Sequence, residues 1–227
     1  FKALKGNLPL FMLMLCYFVW GFQGGISAGG RMYYFTYIAD NINHFAPNMT
    51  FMSTGGLVAT VLLGVFTMRS KNKRNIGIVT WIGGGILYIA MWFIDSSTVN
   101  GMRLFDIFTF VQMLFAGMGM ASIYALVPDV TEYTQGKHGI RASGFLFALI
   151  NFAQKVGTAI SQAVFTASLA ALGYQPGGEV QTEGVLSLIR GSITVWPGIM
   201  LFVGVFAFFM IKINRQTHEE TLAKLGQ

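Results

Sequence analysis

A lysine inside an apolar run carries the most chemical information in this sequence. Lys155 is the only charge between residues 142 and 172. An ammonium at the centre of a bilayer costs about 2.5–3.5 kcal/mol on insertion scales. It must therefore face a water-filled cavity or a partner, not lipid. Asn151, Lys155, Thr158 and Gln162 follow 4-3-4 spacing and share one helical face. Gly144 and Ala148 continue that stripe with small side chains. Amides and hydroxyls donate and accept hydrogen bonds, and an ammonium donates three. Such a lining suits a polyhydroxylated solute such as a sugar. The same residues also suit hydrogen bonds or an ion pair between helices, and both readings stand at this point.

A second, weaker polar face comprises Gln23, Ser27, Arg31 and Tyr34 on the first apolar run. Tyr33, Tyr34, Phe35 and Tyr37 beside it would stack on sugar faces or form an interfacial aromatic belt, with equal weight. Gln112 and Trp196 are lesser candidates, with packing favoured for Trp196. The link P-D-V-T-E-Y-T-Q-G-K-H-G-I-R gathers Asp129, Glu132, Tyr133, Lys137 and Arg141 at the mouth of two helices. It reads as a cytoplasmic loop whose ion pairs hold or release a gate.

Other chemistries find no residues to carry them. His44, His138 and His218 lie far apart and make no metal motif. No GxxxxGK[ST] loop is present, and no nucleophile and base converge, so an enzyme is not expected. No cofactor is expected either. Cys16 is a lone thiol in an apolar run and reads as a small buried hydrophobe. Asp40, Asp106 and Asp129 read as lying near the ends of spans. A cation site deep in the membrane usually needs a carboxylate there, so this chain is expected to hold no metal site.

These residues need helices that cross a membrane. Of the 227 residues, 54% are hydrophobic and 11% are charged, against about a quarter charged in soluble domains. The fold class expected is all-α, a bundle of six transmembrane helices within 1–212. The spans are placed at about 7–38, 51–69, 75–94, 104–128, 142–172 and 191–212, each near the ~20 residues that hydrocarbon requires. Residues 213–227 read as a polar cytoplasmic tail. The net charge of +6 sits in short blocks between apolar runs, which marks topology and not a nucleic-acid surface. Lys2, Lys5, Arg69, Lys71, Lys73, Arg74, Lys137, Arg141, Lys212, Arg215 and Lys224 share one set of ends. Arg31, Arg103 and Arg190 share the other. Both termini are then cytoplasmic. Gly21, Gly25 and Gly29 repeat every fourth residue, the signature of close helix approach. The opening at Phe1, without a methionine, suits a fragment.

The stretch from Pro128 to Gly157 resembles the glycoside–pentoside–hexuronide:cation symporter family. The matching residues are Asp129, Glu132-Tyr133, Lys137, Arg141 and then Lys155, within Phe152-Ala153-Gln154-Lys155-Val156-Gly157. Tyr33-Tyr34-Phe35-Thr36-Tyr37 resembles the end of that family's seventh helix. Glu132 stands where Asp is common, Gln135 where an acid is frequent, and Ile150 where a polar residue occurs. The resemblance implies a major-facilitator fold of which this chain is the C-terminal six-helix half. It implies an N-terminal bundle as partner, membrane lipid around both, and a small sugar as substrate. It also implies a coupling cation, Na⁺, Li⁺ or H⁺, bound mainly on the N-terminal half, and residence in the bacterial inner (plasma) membrane. The alternatives are a non-transporting membrane sensor or assembly protein, and a transporter of a non-sugar substrate such as a lysolipid.

Overall fold

The computed structural model describes residues 6–69, 73–138, 143–178 and 180–211. Every element among them is helical: α1 (Leu8–Tyr37), α2 (Phe45–Arg69), α3 (Lys73–Met91), α4 (Val99–His138), α5 (Ser143–Ala171), α6 (Glu183–Ile193) and α7 (Val195–Met210). A 3-10 turn, Ile42–His44, leads into α2. The start of α1 is fixed by its sequence. The Asn7 side chain accepts from Leu10 N at 3.3 Å, and Pro9 sits in the first turn, where its missing N–H costs nothing. Thr182 caps α6 in the same way, through Val185 N, with Glu183 favourable in the first turn.

Helices α1, α3 (over Arg74–Met91) and α4 (over Val99–Gly136) are long and apolar enough to cross a membrane by length and composition. So is the α6–α7 pair, bent by 42°, taken as one broken span. The polar face of α5 lowers its hydropathy, although its 29 residues exceed the ~20 a span requires. Large apolar side chains face outward all round, among them Leu57, Val61, Val79, Phe93, Phe152 and Phe206. Exposure on that scale suits lipid, not water.

Helix α1 is the hub, with α5 on one side and α6–α7 and α4 on others, while α3 lies between α4 and α7 and α2 packs on α4. Glycines set these approaches. The Trp81 ring is fully buried and meets Phe208 edge-on at 5.1 Å. It lies directly against Gly119 of α4 and Gly204 of α7, where a Cβ would have no room. The stripe Gly21–Gly25–Gly29 faces α5 as its spacing predicts: Gly21 against the Gln154 carbonyl, Gly25 against Ser161 and Thr158, Gly29 against the Phe165 ring.

Several expected boundaries move. The helix at the expected second span begins at Phe45 and not 51, and that at the fourth begins at Val99 and not 104. The last begins at Glu183 and not 191, broken at Thr194. The fourth also fails to stop at Pro128. Helix α4 runs through that proline to His138, so Asp129, Glu132 and Tyr133 stand on a helix and not in a loop. The reason is a continuing buried face. Leu126, Val130 and Thr134 repeat every fourth residue and are buried, and Thr134 accepts from Asn7 Nδ2 at 2.8 Å. Packing on the start of α1 offsets the one backbone bond that Pro128 removes. The tail expected at 213–227 lies outside the described residues.

Candidate functional site

The open polar face of α5 forms one half of the site. Leu146, Ile150, Ala153, Gly157, Ser161, Phe165 and Leu169 seat α5 on the bundle. The opposite face leaves Lys155 and Gln162 exposed. Asn151, Gln154, Lys155, Thr158 and Gln162 line a groove of about 340 Å³. Among the described residues no carboxylate lies within 4.0 Å of Lys155. Asn151 turns its amide onto its own helix, donating to Phe147 O at 2.7 Å. Thr158 is committed to packing: its hydroxyl donates to Gly21 O at 3.1 Å and to Gln154 O at 3.2 Å. Gln154, absent from the candidate stripe, joins the groove because it lies one residue from Lys155.

The second half is a cleft between α1 and α2. Trp20, Gln23, Ser27 and Arg31 present one face of α1 to a cavity of about 170 Å³, closed by Met49, Met52, Tyr88 and Met113. Gln23 accepts from the Tyr88 hydroxyl at 3.1 Å. Arg31 is buried and donates to Asn48 Oδ1 at 2.6 Å and to Ser27 Oγ at 3.3 Å. Asn48 then donates to Asp106 Oδ1 at 2.7 Å, and His44 Nε2 lies 2.7 Å from Asp106 Oδ2. The ends of α1, α2 and α4 are thus joined by an Arg31–Asn48–Asp106–His44 chain.

That chain holds Asp106 near the start of α4. Because α4 begins at Val99, Asp106 stands two turns inside it and is 4% exposed. It accepts from Asn48 of α2 and pairs with His44 of the 3-10 turn that precedes α2. Asp106→Ala should lower stability by about 1–3 kcal/mol, since it removes the carboxylate that accepts from the buried Asn48 amide. Asp106→Asn should cost far less, because its amide oxygen still accepts. Thermal unfolding of the purified protein in detergent tests both, and a similar loss for each would contradict this account.

Tyr34 does not join the site. Its ring is fully buried and stacked on Phe105 at 5.0 Å, and its hydroxyl bonds Ser96 at 2.7 Å. Tyr33 and Tyr37 cluster instead with Tyr174, whose hydroxyl is 3.0 Å from that of Tyr37. Trp196 is half-exposed at the start of α7, and Gln112 is buried near Tyr88. Of the expected gate residues, Glu132 lines a cleft of about 400 Å³, together with Thr131 and Gln135 of α4 and Ser143 and Phe147 of α5. The Lys137 side chain and Arg141 lie outside the described residues.

A family model described as MFS/sugar transport protein matches residues 1–215. The chain belongs to that family. It stands among transport proteins and not enzymes. Its relatives include a protein of Salmonella typhimurium named "Putative sulfoquinovose importer", 27% identical over all of this chain and 47% of the relative. A glucuronide carrier protein homolog of Escherichia coli is 28% identical over 92% of this chain and 45% of its own length. An isoprimeverose transporter of Lactiplantibacillus pentosus is 26% identical over all of this chain and 46% of the transporter. The chain spans about half the length of the curated relatives it matches.

Proposed function

We propose that this chain is the C-terminal six-helix bundle of a secondary transporter for a sugar-class solute. The observation that carries this is the uncovered polar face of α5. A helix with Lys155 and Gln162 open on one side cannot present that side to lipid. It needs a facing wall, and a companion bundle supplies one. The names of the relatives, which concern sulfoquinovose, glucuronide and isoprimeverose, support a sugar-class solute. The α5 groove and the α1–α2 cleft flank α1 and together form this bundle's wall of a midplane site. The two bundles rock about that site to expose it to one side of the membrane and then the other. Tyr133, Asp129 and Glu132 on α4, with Lys137 and Arg141, form the inner gate. The cytoplasmic placement of both termini and residence in a bacterial inner membrane follow the distribution of Lys and Arg and the family resemblance. Uphill movement is driven by Na⁺, Li⁺ or H⁺, held mainly on the companion bundle.

The test is uptake into proteoliposomes by the native-length protein, with a sugar panel under imposed Na⁺ or H⁺ gradients. Accumulation that collapses with the gradient is the expected result. Binding without flux would instead favour a sensor. The isolated 227 residues should give no flux, because one wall of the pathway is missing.

A further inference from the structure

We infer that the α1–α2 cleft takes the anionic end of an acidic sugar, a carboxylate or sulfonate, with Arg31 as the charge that recognises it. This inference rests on the transport function proposed for the chain. Arg31 is 2% exposed, yet among the described residues it has no carboxylate within 4.0 Å. The nearest acid in its hydrogen-bonded chain, Asp106, is occupied by His44 and Asn48. Asn48 stands between the two charges. A buried guanidinium without a direct counter-ion is expensive. Its bonds to Asn48 and Ser27 leave donors over, out of five.

Those donors belong to a side chain that lines the cavity with Gln23, Ser27 and Tyr88. The guanidinium fork matches two oxygens of a carboxylate or sulfonate. Arg31 therefore offers donors to this cavity and awaits acceptor oxygens. At about 170 Å³ the cavity is smaller than pockets that enclose a whole ligand, which run from about 300 Å³. It holds the acidic end only. The rest of the solute passes over Gly24, where an added Cβ would meet nothing within 4 Å, toward the α5 groove.

The test is calorimetric binding to the native-length protein in lipid nanodiscs. Matched pairs are D-glucuronate with D-glucose, D-galacturonate with D-galactose, and methyl β-D-glucuronide with methyl β-D-glucoside. At least one acid should bind about tenfold or more tightly than its neutral parent. Arg31→Gln should bring that ratio near one, and Arg31→Lys should keep part of it. Because Arg31→Gln alters a buried network, Ser27→Asp provides a second arm. It places a carboxylate on the residue that Arg31 already touches and should also collapse the ratio. Thermal unfolding identifies any variant that has lost its fold. Neutral sugars binding as well as the acids, an unchanged ratio in folded Ser27→Asp, or no binding by any acid would each overturn the inference. The transport reading fails separately, if sugars bind but none accumulates under a gradient.

Discussion

Lys155→Ala should reduce gradient-driven uptake by the native-length protein to background, a fall of at least about tenfold, while its melting temperature stays near that of the parent. The two halves of this expectation come from different facts. Among the described residues Lys155 has no ion pair within 4.0 Å, and it is exposed on the uncovered face of α5. Removing it strands no buried partner in this bundle, so the stability change should stay within about 0.5 kcal/mol. The groove, by contrast, loses its one charged donor group. A tenfold rate change needs only about 1.4 kcal/mol of lost stabilisation. One charge-assisted hydrogen bond is of that size or larger. Lys155→Arg keeps the charge but not the compact ammonium and should recover part of the uptake. The rival reading, a structural ion pair between helices, makes the opposite pattern. The alanine variant would then melt well below the parent, and uptake would fall with the folded fraction. Normal uptake by Lys155→Ala would remove the role assigned to this residue.

Local periodicity carried the first half of the site and could not carry the second. Asn151, Lys155 and Gln162 lie within a few turns of one helix, so spacing alone puts them on one face. The glycine stripe of α1 was legible for the same reason, and the expected span 7–38 matches Leu8–Tyr37 closely. The chain through Arg31, Asn48, Asp106 and His44 joins residues separated by 17, 58 and 62 positions. No sequence pattern specifies such pairings. The burial of Asp106 was hidden by the expected boundary of its helix, because residues 99–103 lack the continuous apolarity used to mark a span. Tyr34 went the other way. Its type suited sugar stacking, but the aromatic cluster with Phe35 and Phe105 buries it. Pro128 misled because a proline usually ends a helix, whereas the buried face from Leu126 to Thr134 carries α4 past it.

Gly21→Val should be among the most destabilising single changes on α1, and it should remove both uptake and acid preference together. The valine Cβ would collide with the Gln154 carbonyl oxygen and would lie 3.1 Å from the Thr158 hydroxyl. A backbone carbonyl cannot rotate away, so the helices must part. Gly157→Val should act alike from the other side, since its Cβ would strike the Phe18 carbonyl and stand 3.0 Å from Phe22 N. Overpacking in a core costs about 1–3 kcal/mol, occasionally more. The upper end is expected here, because α1 provides most of the seat for α5. Parting them also breaks the Thr158 hydroxyl bond to Gly21 O. Gly56→Ala is the matched control. It lies in helix α2 with nothing within 4 Å of an added Cβ. It should be neutral or stabilise by up to about 1 kcal/mol. Thermal unfolding, binding ratios and uptake of the three variants separate the outcomes. A Gly21→Val protein that melts like the parent would show that the α1–α5 backbones do not meet this closely. If they do, α1 and α5 move as one rigid pair. Loosening that pair then disturbs the Arg31 cleft and the Lys155 groove at once, whereas Lys155→Ala disturbs the groove alone.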